Sequence, residues 1–344
     1  MLCLLASCSS KSEGEGDGPD PKPEQPGKIT LLQLNLWEEC GNVENGLDVL
    51  TDQIVALKPD FATFCELYKA GNEAIIPQLI QALRNKGLMY YGKTVDGRAI
   101  LSKYKFDGSE RINEWMFKGI FTVDGRRVAV YSSHANYRYY ACYLPRGYND
   151  GSTDWNQLPQ PITNVSQILA SNRKSGRIES TQAMINNAKA EIAQGAVVFF
   201  AGDLNEPSHL DWQADTKDLF DHNGCVVNWD VSVLLYKNGY KDAYRVKYPN
   251  VVENPGFTFP ADNEAVPVSK LSWAPKVDER DRIDFVYFYP YEGMSVEDAK
   301  LVGPQGSIVR GQRVAENTKD VFIAPAGDRW PTDHKGVLVT FKFE

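Results

Sequence analysis

Short runs of apolar residues, separated by helical patterns, extend along the chain after residue 28. Residues 29–35, 61–65, 127–133 and 196–201 predict buried strands, and later strands are predicted over residues 281–289 and 336–343. Three helices are predicted between these strands. The first has Leu47, Leu50, Ile54 and Leu57 on one face, the second covers residues 72–85, and the third has Ile178, Ile185, Ala188 and Ile192 on one face. Helices that alternate with strands, with strand-rich stretches between them, are typical of one α/β domain with large mixed sheets.

The apolar run 196–201 is followed by a glycine and then by a carboxylate and a carboxamide, Asp203 and Asn205. Side chains at positions i and i+2 of an extended segment point the same way, so this pair is predicted to project together from the end of an interior strand. Oxygen ligands favour a hard cation such as Mg²⁺, and chemistry in α/β proteins usually lies at such strand ends. A strand that ends in an ordinary Asx-turn is the alternative for the pair taken alone.

Other predicted strands also end on, or begin with, polar residues. These residues are Asn35, Glu66, His134, Asp284 within Arg282-Ile283-Asp284, and the pair Asp333-His334. Turn-forming residues are common at strand ends, and a single histidine is more often a surface or core residue than a catalytic one. Their order along the chain is more informative than any one of them.

That order resembles the endonuclease/exonuclease/phosphatase superfamily, which includes DNase I-like nucleases, sphingomyelinases and inositol polyphosphate phosphatases. The resemblance covers residues 29–343 and is carried by Leu34-Asn35, Phe64-Cys65-Glu66, Gly97-Arg98-Ala99-Ile100-Leu101-Ser102, Ser133-His134, Gly202-Asp203-Leu204-Asn205, Arg282-Ile283-Asp284 and Thr332-Asp333-His334. It implies a DNase I-like fold, a four-layer α/β sandwich of two mixed β-sheets flanked by helices. The chain departs from the family at Cys65, where a glutamine is frequent, and at Arg98, where an asparagine is frequent.

The resemblance also implies metal-dependent hydrolysis of a phosphoester by water. In that mechanism Asn35, Glu66 and Asp333 form or support a site for Mg²⁺, or alternatively Mn²⁺. His334 accepts the proton of the attacking water, and Asp284 orients its imidazole. Asp203 and Asn205 position the water and the phosphoryl oxygens, and His134 donates to the charge that develops in the transition state.

Two further residues are weaker candidates for binding the substrate phosphate, Arg98 and Tyr143. Tyr143 belongs to a loop, residues 137–148, that is rich in aromatic and basic residues and therefore suited to stack on bases or sugars. Aromatic residues that anchor the loop by packing are an equally good interpretation. Because the apurinic endonuclease branch differs at the position of His134, a role in base-excision repair is not expected.

The amino-terminal residues predict export. Leu5-Ala6-Ser7-Cys8 resembles a bacterial lipobox, although the apolar stretch before it is short and lacks a basic region, which indicates a truncated signal or a misassigned start codon. Residues 1–8 are therefore interpreted as a lipoprotein signal, residues 9–28 as a flexible tether and residues 29–344 as the catalytic domain. The expected product is an exported bacterial lipoprotein, held at a membrane by lipid on Cys8 in the periplasm or at the cell surface.

Charge and cysteine content leave several functions open. A net charge of −8 disfavours binding to long nucleic acids, which depends on clustered lysine and arginine. Pairing among Cys40, Cys65, Cys142 and Cys225 is not specified by their spacing.

The leading hypothesis is a phosphodiesterase or phosphatase. The alternatives are a secreted nuclease, an enzyme of the phospholipase C or sphingomyelinase type, and a binding lipoprotein on the same fold. The sequence predicts no protein partner.

Overall fold

The computed structural model of the protein describes residues 27–67 and 75–344. In these ranges the strands are β1 Lys28–Asn35, β2 Phe61–Cys65, β3 Tyr91–Val95, β4 Arg98–Ser102, β5 Gly108–Asn113, β6 Met116–Val123, β7 Arg126–His134, β8 Val197–Asp203, β9 Lys241–Asp242, β10 Asp284–Phe288, β11 Met294–Val302, β12 Ser307–Val309, β13 Gln312–Val314, β14 Phe322–Ile323 and β15 Gly336–Phe343. The α-helices are α1 Gly46–Leu57, α2 Ile75–Asn85, α3 Val165–Asn172, α4 Arg177–Ala193, α5 Asp230–Lys237 and α6 Ala243–Lys247. The predicted signal and all but the last two residues of the predicted tether lie outside the described residues.

Two large mixed sheets carry the fold. The first has the strand order β14-β11-β15-β1-β2-β4-β3, and the second has the order β5-β6-β7-β8-β10-β9. In the first sheet β1 is parallel to β2 and antiparallel to β15. In the second sheet β8 is parallel to β7 and antiparallel to β10.

The two sheets pack face to face around an apolar core. Side chains of both sheets meet in it, among them Leu31, Phe61, Phe121, Val130 and Phe199. The outer face of the first sheet packs against α1 and α2 through residues such as Leu50 and Leu79, and the outer face of the second packs against α4 and α5 through residues such as Ile185 and Leu235. The predicted four-layer α/β sandwich is therefore confirmed. No helix in the described part of the chain is both long and apolar enough to span a bilayer.

Several predicted boundaries differ from the observed ones. β1 begins at Lys28, the last residue that was assigned to the tether. The predicted start of α2 at residue 72 lies outside the described residues, and its described part begins at Ile75. β10 begins at Asp284 rather than at residue 281. Asp281 instead forms an isolated bridge with Phe259, and Arg282 is a buried ion-pair partner of Asp211 and Asp242.

The strand ends converge because of the sheet topology. β1, β2, β7 and β8 leave their sheets at one edge of the sandwich, and the antiparallel strands β10 and β15 enter their sheets at the same edge. Polar residues that follow the first group of strands therefore meet polar residues that precede the second group. Residues far apart in the chain are brought to one place by this arrangement.

Gly202 allows β7 and β8 to approach closely at this edge. A Cβ atom at this position would lie 2.2 Å from the backbone oxygen of Ser133 on β7. We expect Gly202→Ala to lower the free energy of unfolding by about 1–3 kcal/mol, because the strands would have to move apart in a well-packed region. Chemical denaturation of the purified protein measures this change.

Gly108→Ala is the matched control, since a Cβ atom there would contact nothing within 4 Å. Its free energy of unfolding should stay within about 0.5 kcal/mol of that of the unchanged protein. Equal stability of the two variants would contradict the role given to Gly202.

Candidate active site

A row of three polar side chains crosses the end of the second sheet. Asp203, the last residue of β8, is paired in register with His134 at the end of β7 and with Asp284 at the start of β10. All three side chains are buried. The His134 Nε2 atom lies 3.8 Å from Oδ2 of Asp203.

His334 and Asp284 form a buried pair. The Nδ1 atom of His334 lies 2.8 Å from Oδ2 of Asp284, within hydrogen-bond distance. The other imidazole nitrogen, Nε2, lies 3.9 Å from Oδ2 of Asp203 and 4.0 Å from Oδ1 of Asp333. With Nδ1 donating to Asp284, Nε2 is the atom presented to the other carboxylates.

Asn35 connects the first sheet to this row. Its Nδ2 atom donates to Oε1 of Glu66 and to Oδ2 of Asp203, each at 3.0 Å. Its Oδ1 atom accepts a hydrogen bond from the backbone N–H of Trp37 at 2.9 Å. In this arrangement Asn35 presents its amide nitrogen to the site and holds two carboxylates in place.

Glu66 leaves β2 in a left-handed backbone conformation, with φ of 62°. In a residue other than glycine this conformation costs of order 1–3 kcal/mol and persists where the surrounding structure fixes it. The Oε1 atom of Glu66 lies 3.7 Å from Nε2 of His134. The strained backbone therefore places the carboxylate against the row of residues on the second sheet.

Asn205 and Glu206 fix the end of β8. The Asn205 backbone N–H donates to Oδ1 of Asp203 at 2.8 Å, and the Asn205 Nδ2 atom donates to the backbone oxygen of Ala135 at 3.0 Å. The buried Glu206 carboxylate accepts from the Val231 N–H and from Asn172, at 2.7 and 2.8 Å. The Asx-turn given as the alternative for Asp203 and Asn205 is therefore present. β8 ends at Asp203 and Asn205 has a φ of 46°, so the pair does not lie in one extended segment, although both residues line the site.

The eight residues predicted from the strong motif positions lie together. They are Asn35, Glu66, His134, Asp203, Asn205, Asp284, Asp333 and His334, and all are linked by hydrogen bonds, by close approaches between charged atoms or by a shared cavity. His209 and His222, the two histidines outside the motifs, lie elsewhere. His209 lines a different cavity, and His222 stacks on Trp212.

The pKa values in the site reflect burial and crowded negative charge. Burial lowers the pKa of His134 to about 4, so its imidazole is neutral at physiological pH. Burial also acts to lower the pKa of His334, but the nearby carboxylates, Asp284 above all, outweigh it and raise the pKa to about 10. Burial and, after it, the charge of Asp284 raise the pKa of Asp203, and burial raises the pKa of Asp333. Burial therefore dominates the pKa of His134, whereas the neighbouring carboxylates dominate the pKa of His334.

The donor set fits a hard divalent cation. Asp203, Asp284 and His334 each have a potential ligand atom within 4.8 Å of the others. Because Asp284 and His334 are hydrogen-bonded to each other, the carboxylates of Glu66, Asp203 and Asp333 are the better candidates for holding the ion. Carboxylate oxygens are the ligands that Mg²⁺ prefers. Burial raises the pKa of the nearby Cys65 thiol well above its usual range, which disfavours the thiolate form as a ligand.

A cavity of about 490 Å³ opens above the cluster. Glu66, His134, Asp203, Asp333 and His334 form its polar floor. Its remaining described lining is mostly aromatic and consists of Trp37, Tyr137, Tyr140, Tyr143, Trp155, Phe259 and Trp273, together with Glu38, Asn205 and Ile283. This size is within the range of small-molecule sites, so the cluster is accessible to a substrate.

The two weaker phosphate candidates are placed differently. Arg98 is buried in a neighbouring cleft that also contains His134, and it donates to the backbone oxygen of Glu114 at 2.6 Å. Tyr143 lines the main cavity, but its hydroxyl donates to Oε2 of Glu279 at 2.5 Å. The Tyr143 hydroxyl is therefore committed to Glu279, and its ring is buried at the side of the cavity.

The aromatic loop packs against the rest of the fold, and its role in stacking on a ligand stays a prediction. Tyr140, Tyr143 and Tyr148 pack in an apolar cluster, as the structural interpretation predicts. Two of these rings, Tyr140 and Tyr143, also line the cavity. Arg146 is buried in an ion pair with Asp281, so this basic residue of the loop does not face a ligand.

Two supporting residues were missed by sequence reasoning. The Thr258 hydroxyl accepts from the backbone N–H groups of Ile283 and Asp284, each at 3.1 Å, and the Thr258 backbone oxygen accepts from Lys335 at 2.7 Å. Gln33 donates to Oδ1 of Asp284 at 3.2 Å. Thr258 lies in a segment without a periodic pattern, so the sequence gives no signal for it. Gln33 is a polar residue inside the apolar run of β1, and this interruption could have revealed its role.

The sequence is similar to that of a nematode protein over most of its length. No family model matches the sequence. The sequence is 26% identical over 330 residues to the uncharacterized protein F14F9.5 of Caenorhabditis elegans, a match that covers 92% of this chain and 91% of that protein.

Solved structures with low sequence identity share the architecture. TDP2 of D. rerio, in complex with single-strand DNA product, matches with a TM-score of 0.52 and 16% identity over 92% of this chain and all (100%) of the other. An endonuclease/exonuclease/phosphatase family protein from Leptotrichia buccalis matches with a TM-score of 0.50 and 13% identity, over 92% of this chain and 100% of the other. The chain therefore has the fold of the endonuclease/exonuclease/phosphatase superfamily, as its motifs predict.

Proposed function

We propose that the protein hydrolyses phosphoester bonds in a reaction that depends on a divalent cation, Mg²⁺ or Mn²⁺. The main support is the buried His334–Asp284 pair, whose free imidazole nitrogen faces the carboxylates of Asp203 and Asp333 at the floor of an accessible cavity. A proton acceptor beside a set of oxygen ligands suits the attack of water on a phosphate.

The residues of the site have distinct roles in the proposed reaction. The charges of Asp203 and Asp333, which contribute to the raised pKa of His334, would be offset by a bound cation, so that Nε2 of His334 can accept the proton of the attacking water. Asp284 keeps Nδ1 protonated and the ring oriented. Asn205 and Asp203 fix the water and the phosphoryl oxygens, and His134 donates to the charge that builds on the phosphate. Glu66, Asp203 and Asp333 would hold the cation, which when bound neutralises charge on a non-bridging phosphate oxygen.

A panel of substrates tests the proposal. The full chain is assayed with Mg²⁺ and with Mn²⁺ on bis-p-nitrophenyl phosphate, p-nitrophenyl phosphate, DNA, sphingomyelin and inositol phosphates. Hydrolysis of at least one of them that stops in excess chelator supports the proposal. Failure to hydrolyse all of them would favour the alternative of a binding protein on the same fold.

Nuclease activity on long DNA is the less favoured form of this activity. The fold binds single-strand DNA product in TDP2 of D. rerio. In this chain, however, the described residues that line the cavity include no lysine or arginine, and the net charge is −8. Polynucleotide binding depends on such cations.

We also propose that the protein is exported and anchored by lipid on Cys8, as in bacterial lipoproteins. The residues Leu5-Ala6-Ser7-Cys8, and the Gly, Pro, Ser and acid-rich segment that follows them, support this proposal. The mature chain should begin at Cys8 and carry two or three acyl chains, which mass spectrometry of the native protein detects. A native protein with an unmodified Cys8 and residues upstream of it would contradict the anchor.

A further inference from the structure

One side of the cavity is an aromatic wall, formed by Tyr143, Trp155 and Trp273. The ring centroids of Trp155 and Trp273 lie 5.5 Å apart, and those of Tyr143 and Trp155 lie 5.7 Å apart. Trp273 is 53% exposed, which is unusual for so large an apolar side chain beside a buried polar cluster. Because Tyr143 is buried, the half-buried Trp155 and the exposed Trp273 provide the accessible surface of the wall.

A single buried carboxylate holds this wall in place. Glu279 is 1% exposed, and its Oε2 atom accepts from the Tyr143 hydroxyl at 2.5 Å and from the backbone N–H groups of Trp273 and Ala274 at 3.2 and 3.0 Å. Its Oε1 atom accepts from the Ser272 hydroxyl. Glu279 thus ties the loop of Trp273 to the ring of Tyr143.

Trp155 is fixed by backbone geometry. Gly151 has a φ of 72°, and a Cβ atom there would lie 2.3 Å from the Trp155 ring. The ring consequently packs directly on the glycine backbone. Rings held in fixed positions lose little conformational entropy when a ligand stacks on them, so the wall is preorganised for binding.

The charges around the cavity limit the ligand further. Its described lining includes four carboxylates, those of Glu38, Glu66, Asp203 and Asp333, and no lysine or arginine. A cation held by the carboxylates of the floor would give one phosphate a direct positive partner. Within this cavity a second phosphate would lie near acidic or aromatic side chains. The arginines of the neighbouring cleft, Arg98 and Arg111, are already engaged by the Glu114 backbone oxygen and by Asp96.

We infer that the aromatic wall binds a planar aromatic group attached to the phosphate that is hydrolysed, and that the substrate carries a single phosphate. This inference rests on the proposed function, because the wall is assigned to the part of the substrate next to the reacting phosphate. Compounds of the size of a nucleoside monophosphate ester, or an aryl phosphoester, fit this description. Inositol polyphosphates do not.

Two pairs of inhibitors test the inference on the full chain with Mg²⁺. Phenyl phosphate and cyclohexyl phosphate carry the same charge and six-membered rings, but only the first ring is planar and aromatic. Stacking on an aromatic side chain strengthens binding by roughly 5- to 100-fold. We expect phenyl phosphate to inhibit hydrolysis of bis-p-nitrophenyl phosphate at least about 5-fold more tightly, and thymidine 5′-monophosphate to bind more tightly than thymidine 3′,5′-bisphosphate.

Variants of Trp273 test whether the preference for phenyl phosphate over cyclohexyl phosphate comes from the aromatic wall. Trp273→Leu should reduce the preference for phenyl phosphate to near unity, whereas Trp273→Phe should keep most of it. Tyr236→Leu is the control, because Tyr236 is 61% exposed on α5 and does not line the main cavity. Both positions carry exposed rings, so the fold should be preserved in all three variants.

The outcomes separate this inference from the proposed function. If the chain hydrolyses the diester but binds both ring phosphates equally, or if Trp273→Leu leaves the preference unchanged, the aromatic subsite is wrong while the proposed function stands. Tighter binding of the bisphosphate overturns the single-phosphate part. If no hydrolysis occurs, the proposed function fails, and calorimetric titration with the same phosphates and variants still decides whether the wall selects planar rings.

Discussion

His334→Ala is expected to lower kcat/KM on a phosphodiester by roughly 10²- to 10⁴-fold, the usual loss when a general base is removed. The imidazole is the group whose Nε2 atom faces Asp203 and Asp333, and its Nδ1 atom lies 2.8 Å from Asp284. Steady-state kinetics on bis-p-nitrophenyl phosphate measure the loss. His209→Ala is the control, because His209 lines a different cavity and should keep full activity.

Asp284→Asn should cost much of the same activity, and little more once His334 is already absent. The two residues act through one hydrogen bond, and losses from residues that act as a unit are strongly non-additive. Kinetics of the single variants and of the double variant decide this point. Losses that multiply would mean that Asp284 acts independently of the imidazole.

Glu66→Gln is the second change with a large expected effect. The substitution keeps the shape of the side chain and its hydrogen bond to Asn35 but removes the negative charge offered to a cation. Stabilisation by a bound cation is worth several kcal/mol, so metal-dependent activity should fall by roughly 10²-fold or more. Affinity for Mn²⁺, measured by electron paramagnetic resonance, should fall as well.

Glu38→Gln provides the matched control for this variant. It makes the same chemical change in the same cavity, but Glu38 is exposed and its carboxylate contacts Asn42 rather than the catalytic cluster. Mn²⁺ affinity and activity should remain close to those of the unchanged protein. Equal Mn²⁺ binding by Glu66→Gln and the unchanged protein would remove Glu66 from the cation site.

Most residues of the site could be predicted from the sequence, because they are polar residues at the ends of strongly apolar runs. Asp203 follows the run of β8 directly, and Glu66 follows β2. Single residues of this kind are common at strand ends, so it is their joint order along the chain that makes them recognisable. Their meeting across two sheets follows from the strand order, which the family resemblance implied and the local pattern alone did not contain.

Residues that support the site through long-range contacts could not be predicted in this way. Glu279 and Thr258 act on groups far from them in the chain, and nothing in their local sequence distinguishes them from loop residues. The hydrogen bond of Tyr143 could not be predicted either, since the sequence of a loop does not show that a tyrosine hydroxyl donates to a distant buried carboxylate. Such contacts are decided by the tertiary fold and not by the periodicity of a segment.

Hydrolysis in ¹⁸O-labelled water tests the central claim most directly. The unchanged full chain is stripped of metal, supplied with Mg²⁺ and given bis-p-nitrophenyl phosphate, and both products are analysed by mass spectrometry. Attack of water at phosphorus breaks the P–O bond of the ester, so we expect one ¹⁸O atom in p-nitrophenyl phosphate, none in p-nitrophenol, and no turnover without added cation. Label in the phenol, or the same turnover in excess chelator, would contradict cation-dependent attack of water on the phosphate.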